Sequence, residues 1–259
     1  VAYRGPDSLA DSMSFIHRGR FGPPPGRKLL DIMADILFTH CNHLYNDSKQ
    51  VLKMQPYPPL QTMIAAAFLR EKGFDVALFD PTLDAPEQGF RAALAHHKPK
   101  LVAICEDNFS VITKMCLKRN RETAFSMTRI AREFDIPVIV NSPDASDRAF
   151  EYLSRGADFV IIGEAENTLA DATRHILGLS SGDISQVPGL SYLDPITGRI
   201  CYSAPRAPET ELSHFPMPAW DLINIQSYRN TWVGAHKFFC LNIVASRGCP
   251  YHCNWCAKP

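Results

Sequence analysis

The chain has 259 residues, 46% of them hydrophobic, and its 27 Lys and Arg balance its 27 Asp and Glu. This length and composition allow one or two domains with a sizeable core. The balanced charge argues against a general attraction for nucleic acid, and no apolar run reaches the roughly 18 residues of a membrane span. Eight cysteines without a signal-peptide pattern favour a reducing, cytoplasmic compartment.

Residues 1–32 have little apolar periodicity and include Pro23-Pro24-Pro25-Gly26, so we expect a disordered or non-native extension there. After it, short continuous apolar runs alternate with segments of helical periodicity. The predicted strands are 36–39, 76–80, 101–105, 136–140 and 159–162, and the predicted helices are 59–72, 86–97, 123–134, 146–155 and 164–177.

Alternation of this kind predicts an α/β fold, a doubly wound five-stranded parallel sheet with the strand order 2-1-3-4-5, over residues 33–180. Ligands of such sheets bind beyond the carboxyl ends of the strands. The loops at that edge would be 40–57, 106–110, 141–145 and 163–166.

The loop 40–57 contains no glycine, which argues against a dinucleotide site and a phosphate-binding P-loop. A receiver-type signalling domain has a lysine at the position that Gly163 occupies, so this class is also disfavoured. By position, Glu106, Asn108 and Ser142 are candidates to line a ligand pocket, and Gly163 would allow close approach of the backbone. Glu164 and Glu166 could equally complement a helix dipole.

Residues 181–236 read as a β-hairpin, with strands at 190–193 and 199–202, followed by a proline-rich linker over 204–220. Residues 241–245 form an apolar run that predicts a buried strand, and Ser246-Arg247-Gly248 predicts the turn that ends it.

Three cysteines follow that turn, Cys249, Cys253 and Cys256, with gaps of three and two residues. Three thiolates can hold a cubane iron–sulfur cluster and leave one iron open. A zinc site would need a fourth ligand, for which His252 is available, whereas a disulfide would leave one cysteine unpaired.

This motif, with the aromatic Trp255 before its last cysteine, resembles the cluster motif of the radical S-adenosylmethionine (radical SAM) enzymes. The resemblance implies that Cys249, Cys253 and Cys256 hold a 4Fe–4S cluster and that Trp255 contacts S-adenosylmethionine. A reductant such as flavodoxin or ferredoxin would supply the electron. Residues 237–259 would then begin a radical SAM (β/α) barrel, and the chain would be an amino-terminal fragment that is not a competent catalyst alone.

Residues 33–180 also resemble the cobalamin-binding domain that precedes the barrel in many of these enzymes. The likeness rests on Pro56-Tyr57-Pro58-Pro59-Leu60, on Arg155-Gly156-Ala157-Asp158 and on Gly163-Glu164-Ala165-Glu166. It implies cobalamin as a cofactor. Gly163 and Glu164 would then be contacts, and Glu106, Asn108 and Ser142 are candidate contacts by position alone. The histidine motif Asp-x-His-x-x-Gly is missing, since neither His40 nor His43 fits it, so either cobalt has no histidine ligand or cobalamin binding has been lost.

Together these resemblances imply radical modification of an unactivated carbon in a small-molecule substrate, with methylation favoured over ring closure. The competing hypothesis is a non-catalytic Rossmann-like binding module whose cysteines hold a structural metal.

Overall fold

Five parallel strands form the centre of the sheet in a computed structural model that describes residues 33–107, 109–110 and 116–248. They are β1 (Ile36–Thr39), β2 (Val76–Leu78), β3 (Leu101–Cys105), β4 (Val138–Asn141) and β5 (Phe159–Ile161). Their order, β2-β1-β3-β4-β5, agrees with the sequence prediction. The predicted extension 1–32 lies outside the described residues.

Within the described residues the sheet has seven strands, two more than the predicted five. The predicted hairpin, β6 (Leu190–Leu193) and β7 (Ile200–Tyr202), adds antiparallel to β5. An uncovered β5 edge would leave backbone N–H and C=O groups without hydrogen-bond partners, and strand β6 of the hairpin provides those partners.

Eight helices occur among the described residues: α1 (Ser48–Lys53), α2 (Leu60–Glu71), α3 (Pro86–His97), α4 (Leu117–Glu133), α5 (Pro143–Asp147), α6 (Ala149–Ser154), α7 (Glu166–Ile176) and α8 (Ile225–His236). Two apolar cores lie on opposite faces of the sheet. Leu37 faces the core that contains Phe90 of α3, while its neighbours Ile36 and Phe38 face the core that contains Leu69 of α2. Because both faces are buried, the strands are apolar at consecutive positions.

Local boundaries differ from the sequence prediction in three places. The expected loop 40–58 contains α1, whose first N–H groups are capped by the Asp47 carboxylate. Helix α4 begins at Leu117, six residues before the predicted start at 123. The helix predicted over 146–155 is two helices. Ser142 and Pro143 start α5 earlier than predicted, and the helical conformation is interrupted at Arg148.

The segment after the hairpin departs most from prediction. Residues 225–236, for which no helix was predicted, form helix α8, and the Asn224 side chain caps its amino terminus. The predicted buried strand 241–245 is wrong: it pairs with no described strand, and Ile243 is 88% exposed. A strand forms through hydrogen bonds to a neighbour, which an apolar run does not supply by itself. No helix in the described ranges is both long and apolar enough to cross a bilayer.

Candidate functional site

Buried polar side chains collect where the parallel strands end. They are His40 after β1, Glu106 and Asp107 after β3, Asn141 at the end of β4, and Glu166 at the start of α7. Asp80, after β2, lies beside them and is half-buried. Parallel strands end at one edge of a sheet, so residues distant in sequence meet there. Buried polar groups carry a free-energy penalty unless they are hydrogen-bonded, so each contact at this edge matters to the fold.

On the β1–β2 side, Asp80 joins two side chains. Its carboxylate accepts hydrogen bonds from His40 Nε2 at 3.0 Å and from the Tyr228 hydroxyl at 2.6 Å. Burial alone would raise the pKa of Asp80, but these bonds outweigh it and the net pKa is lowered. Burial beside this carboxylate raises the pKa of Tyr228, which therefore remains a protonated donor.

The second nitrogen of His40 is also engaged. Nδ1 accepts a hydrogen bond from the backbone N–H of Asn42 at 3.2 Å, which leaves the proton on Nε2 for Asp80. Both ring nitrogens of His40 thus have protein partners.

At the end of β3, Glu106 and Asp107 are buried side by side. The Glu106 N–H donates to the Asn141 carbonyl at 2.9 Å, and the Glu106 carboxylate accepts from the Asn120 amide at 3.4 Å. Burial raises the pKa of Glu106. Burial likewise raises the pKa of Asp107 to about 6, although backbone N–H groups, including that of Phe109, donate to its carboxylate.

Glu166 forms the third part of this edge. Its Oε1 accepts from the Gln61 amide at 3.0 Å and from Arg247 Nη2 at 2.6 Å. The Arg247 guanidinium also lies 3.7 Å from the centre of the Phe215 ring. The sequence pattern predicts Arg247 only as part of a turn. It places Glu166 in a candidate binding loop, with a role at the helix dipole as the alternative, and does not predict that the two residues pair. No local pattern links these two residues, which lie 81 positions apart.

The predicted cobalamin contacts that lie in the described part of the chain follow the ends of β3, β4 and β5. Ser142 is buried, and its Oγ accepts from the Ala145 N–H at 2.9 Å as the cap of α5. Gly163 has φ +90°, and a Cβ built on it meets no atom within 4 Å. Glu164 accepts from the Glu209 N–H at 2.9 Å. Asn108 lies outside the described residues.

The cysteine motif, with Cys249, Cys253, Trp255 and Cys256, lies outside the described residues, so its predicted role stays a prediction. Among the residues that are described, no three His, Cys, Asp or Glu side chains are grouped to hold a metal. Cys105 is buried in β3, and burial raises the pKa of its thiol.

An apolar cavity of about 270 Å³ lies between the start of α2 and the segment that precedes the cysteines. Its lining includes Leu60, Ile64, Phe215, Val244 and Arg247. The cavity is therefore continuous with the Glu166–Arg247 contact.

Comparison with solved structures finds a related fold: 76% of this chain superposes, with a TM-score of 0.59 and 16% identity, on a cobalamin-dependent S-adenosylmethionine radical enzyme, OxsB, with aqua-cobalamin bound. The chain shares its fold with OxsB. The match spans 26% of the OxsB chain. No protein-family model and no curated protein sequence matches this chain. At this identity the likeness to OxsB shows the fold, and cofactors and activity are matters for proposal.

Proposed function

We propose that this chain is the cobalamin-binding and cluster-binding part of a cobalamin-dependent radical SAM enzyme that modifies, by methylation, an unactivated carbon of a small-molecule substrate. One combination of features carries the proposal. A sheet with the fold found in OxsB is followed, in the same chain, by three cysteines in the radical SAM spacing.

The residues at the strand ends fit a corrin at the β5 side. A corrin is broad, flat and rimmed with amides, so it needs an open backbone edge and hydrogen-bond acceptors. Gly163 is exposed, with open space where a side chain would be, and its carbonyl is held in place by the Asn141 amide at 3.0 Å. Gly163 and the neighbouring Glu164 carboxylate would hold the rim, with Ser142 shaping the loop beside them.

The donor set of the motif fits a cluster. Cys249, Cys253 and Cys256 offer three thiolates within eight positions, and Trp255 offers an aromatic face for S-adenosylmethionine. When bound, the cluster supplies the electron for cleavage of S-adenosylmethionine and cobalamin supplies the methyl group. The residues of this chain would hold the cluster and cobalamin at a fixed distance from each other. They would also keep the carboxylates at the strand ends hydrogen-bonded.

Anaerobic reconstitution with iron and sulfide tests the cluster. We expect about four irons per chain, with loss of most of this iron in Cys249→Ala, Cys253→Ala and Cys256→Ala. Cys240→Ala is the matched control, because Cys240 is an exposed thiol nine positions before the motif. Zinc without iron would instead indicate a structural metal in a non-catalytic module.

Two further measurements test the cofactors and the chemistry. Corrin absorbance should remain with the protein through gel filtration after incubation with cobalamin. The protein encoded by the longest reading frame that contains this chain should form deoxyadenosine from S-adenosylmethionine when a reductant is supplied. Absence of deoxyadenosine in a protein loaded with iron would contradict the radical SAM assignment.

A further inference from the structure

The segment that precedes the cysteine motif returns to the start of α2. The Asn242 amide donates to the Pro58 carbonyl at 3.1 Å, and Arg247 reaches Glu166 beside the Gln61 amide. Between these two attachments Ile243 is exposed to solvent. The segment is therefore held by a few polar contacts and has little apolar burial of its own.

The Glu166–Arg247 contact is the most buried of these attachments. Glu166 is 1% exposed and Arg247 is 11% exposed, and the N–O distance is 2.6 Å. A carboxylate this deeply buried carries a large desolvation penalty that only a well-placed cation and further hydrogen bonds offset. Without Arg247, Glu166 would keep only the Gln61 amide, and its Oε2 has no partner within the described residues.

Only Gly248 separates Arg247 from Cys249 in the sequence. Two residues of chain reach about 7 Å at most, so a contact that fixes Arg247 also limits where the first cysteine can lie. Phe215 also helps to fix Arg247, because the guanidinium carbon lies 3.7 Å from the centre of its ring.

From these contacts we infer that Glu166 and Arg247 are positioning residues that anchor the segment 241–248, which immediately precedes the cysteine motif in the sequence, to the carboxyl end of the sheet. What they position rests on the proposed function, namely a cluster next to a corrin-binding edge. The anchoring itself is a property of the polypeptide and does not depend on either cofactor.

The test is the rate of chymotrypsin cleavage at Phe238 and Leu241 in the cofactor-free protein, since both side chains are exposed but cleavage requires the segment to leave the surface. We expect cleavage about tenfold faster or more in Arg247→Met and in Glu166→Gln. The double variant should be no faster than the faster single variant, because either substitution breaks the same pair.

Arg247→Lys tests whether charge in this place, rather than mere bulk, holds the segment. It should restore most of the protection that Arg247→Met loses. Arg70→Met is the matched control, because Arg70 pairs with Asp221 at 3.0 Å on the surface, with 39% and 57% exposure, and should leave cleavage unchanged.

Wild-type cleavage rates in both Arg247→Met and Glu166→Gln would overturn the inference. A marked fall in the thermal unfolding midpoint of Glu166→Gln would mean that its faster cleavage reports on global stability. The cleavage rate of Arg247→Met then tests the anchor, because Arg247 lies on the attached segment and not in the sheet. Iron analysis of the same proteins separates the two hypotheses. Protein that binds no iron but shows the expected cleavage pattern would refute the proposed function and leave the anchor standing.

Discussion

Tyr228 of α8 donates a hydrogen bond of 2.6 Å to Asp80 at the end of β2, across 148 residues of sequence. Asp80 also accepts from His40 after β1, so a helix from the carboxyl-terminal part of the chain covers the ends of two neighbouring strands. Gly163, which follows β5 at the same edge, is by contrast exposed.

The first prediction concerns this bond. Tyr228→Phe should lower the free energy of unfolding by about 1–3 kcal/mol, because the half-buried Asp80 carboxylate loses a donor. Urea unfolding followed by circular dichroism measures the change. Tyr202→Phe is the control, since Tyr202 is an exposed residue of the edge strand β7 and its substitution should change stability by less than about 0.5 kcal/mol. Equal stability of Tyr228→Phe and wild type would mean that the bond contributes nothing.

The second prediction concerns Trp232, whose indole N–H donates to the Pro56 carbonyl at 2.7 Å in a buried contact. Trp232→Phe should cost about 2 kcal/mol, because the carbonyl loses its donor and the smaller ring leaves a gap. Differential scanning fluorimetry compares it with Trp220→Phe, whose ring is half-buried. A smaller loss for Trp232→Phe than for Trp220→Phe would contradict a docked α8.

The third prediction is a pH dependence from Asp107. Burial raises the pKa of its carboxyl to about 6, above the 3.8 of an exposed aspartate. The folded protein therefore binds this proton more tightly than the unfolded chain, and stability falls as the pH rises from about 4 to about 6. The loss is on the order of 3 kcal/mol.

Asp107→Asn removes this charge while keeping an acceptor for the Phe109 N–H. We expect the variant to be more stable than wild type at pH 7.5 and similar to it at pH 4.5, as measured by urea unfolding at both values. Asp75→Asn at the opposite end of the sheet serves as a comparison for general charge effects. A variant less stable than wild type at pH 7.5 would show that the ionised carboxylate is adequately solvated.

The fourth prediction tests the proposed corrin edge. Gly163→Asn should weaken cobalamin binding about tenfold or more, because a side chain would fill the open space beside the backbone. Asparagine is among the residues that most readily adopt positive φ, so the strain should be small. Gly178→Asn is the matched control: Gly178 also has positive φ and open space, but it follows α7 at the other end of the sheet. Absorbance titration measures both, and equal affinities would remove Gly163 from the site.

Much of the fold could be predicted from local patterns. Consecutive apolar residues such as Ile36, Leu37 and Phe38 indicate a strand that is buried on both faces, and the five parallel strands lie in the predicted order. The hairpin could also be predicted from the sequence, because the residues between its strands favour a turn. In that turn the Asp194 side chain accepts hydrogen bonds from the N–H groups of Ile196 and Thr197.

The candidate site was less predictable. Position alone indicated the right edge of the sheet, but Glu164 as a partner of Glu209 depends on how a segment 45 residues later packs. Ser142 as a helix cap is a local contact to Ala145, which the Ser142-Pro143 pair could have indicated. The apolar run 241–245 has the pattern of a buried strand, yet no described strand lies beside it to supply hydrogen bonds.

By itself, the sequence determined the alternation of strands and helices, the absence of a glycine-rich phosphate loop and the spacing of three cysteines, because these are properties of residues close together in the chain. Only the tertiary structure decided that the hairpin extends the sheet to seven strands, that Tyr228 covers Asp80 and that Arg247 pairs with Glu166. Those contacts join residues far apart in sequence. Their formation depends on the return path of the chain and on the free-energy penalty of leaving buried carboxylates unpaired.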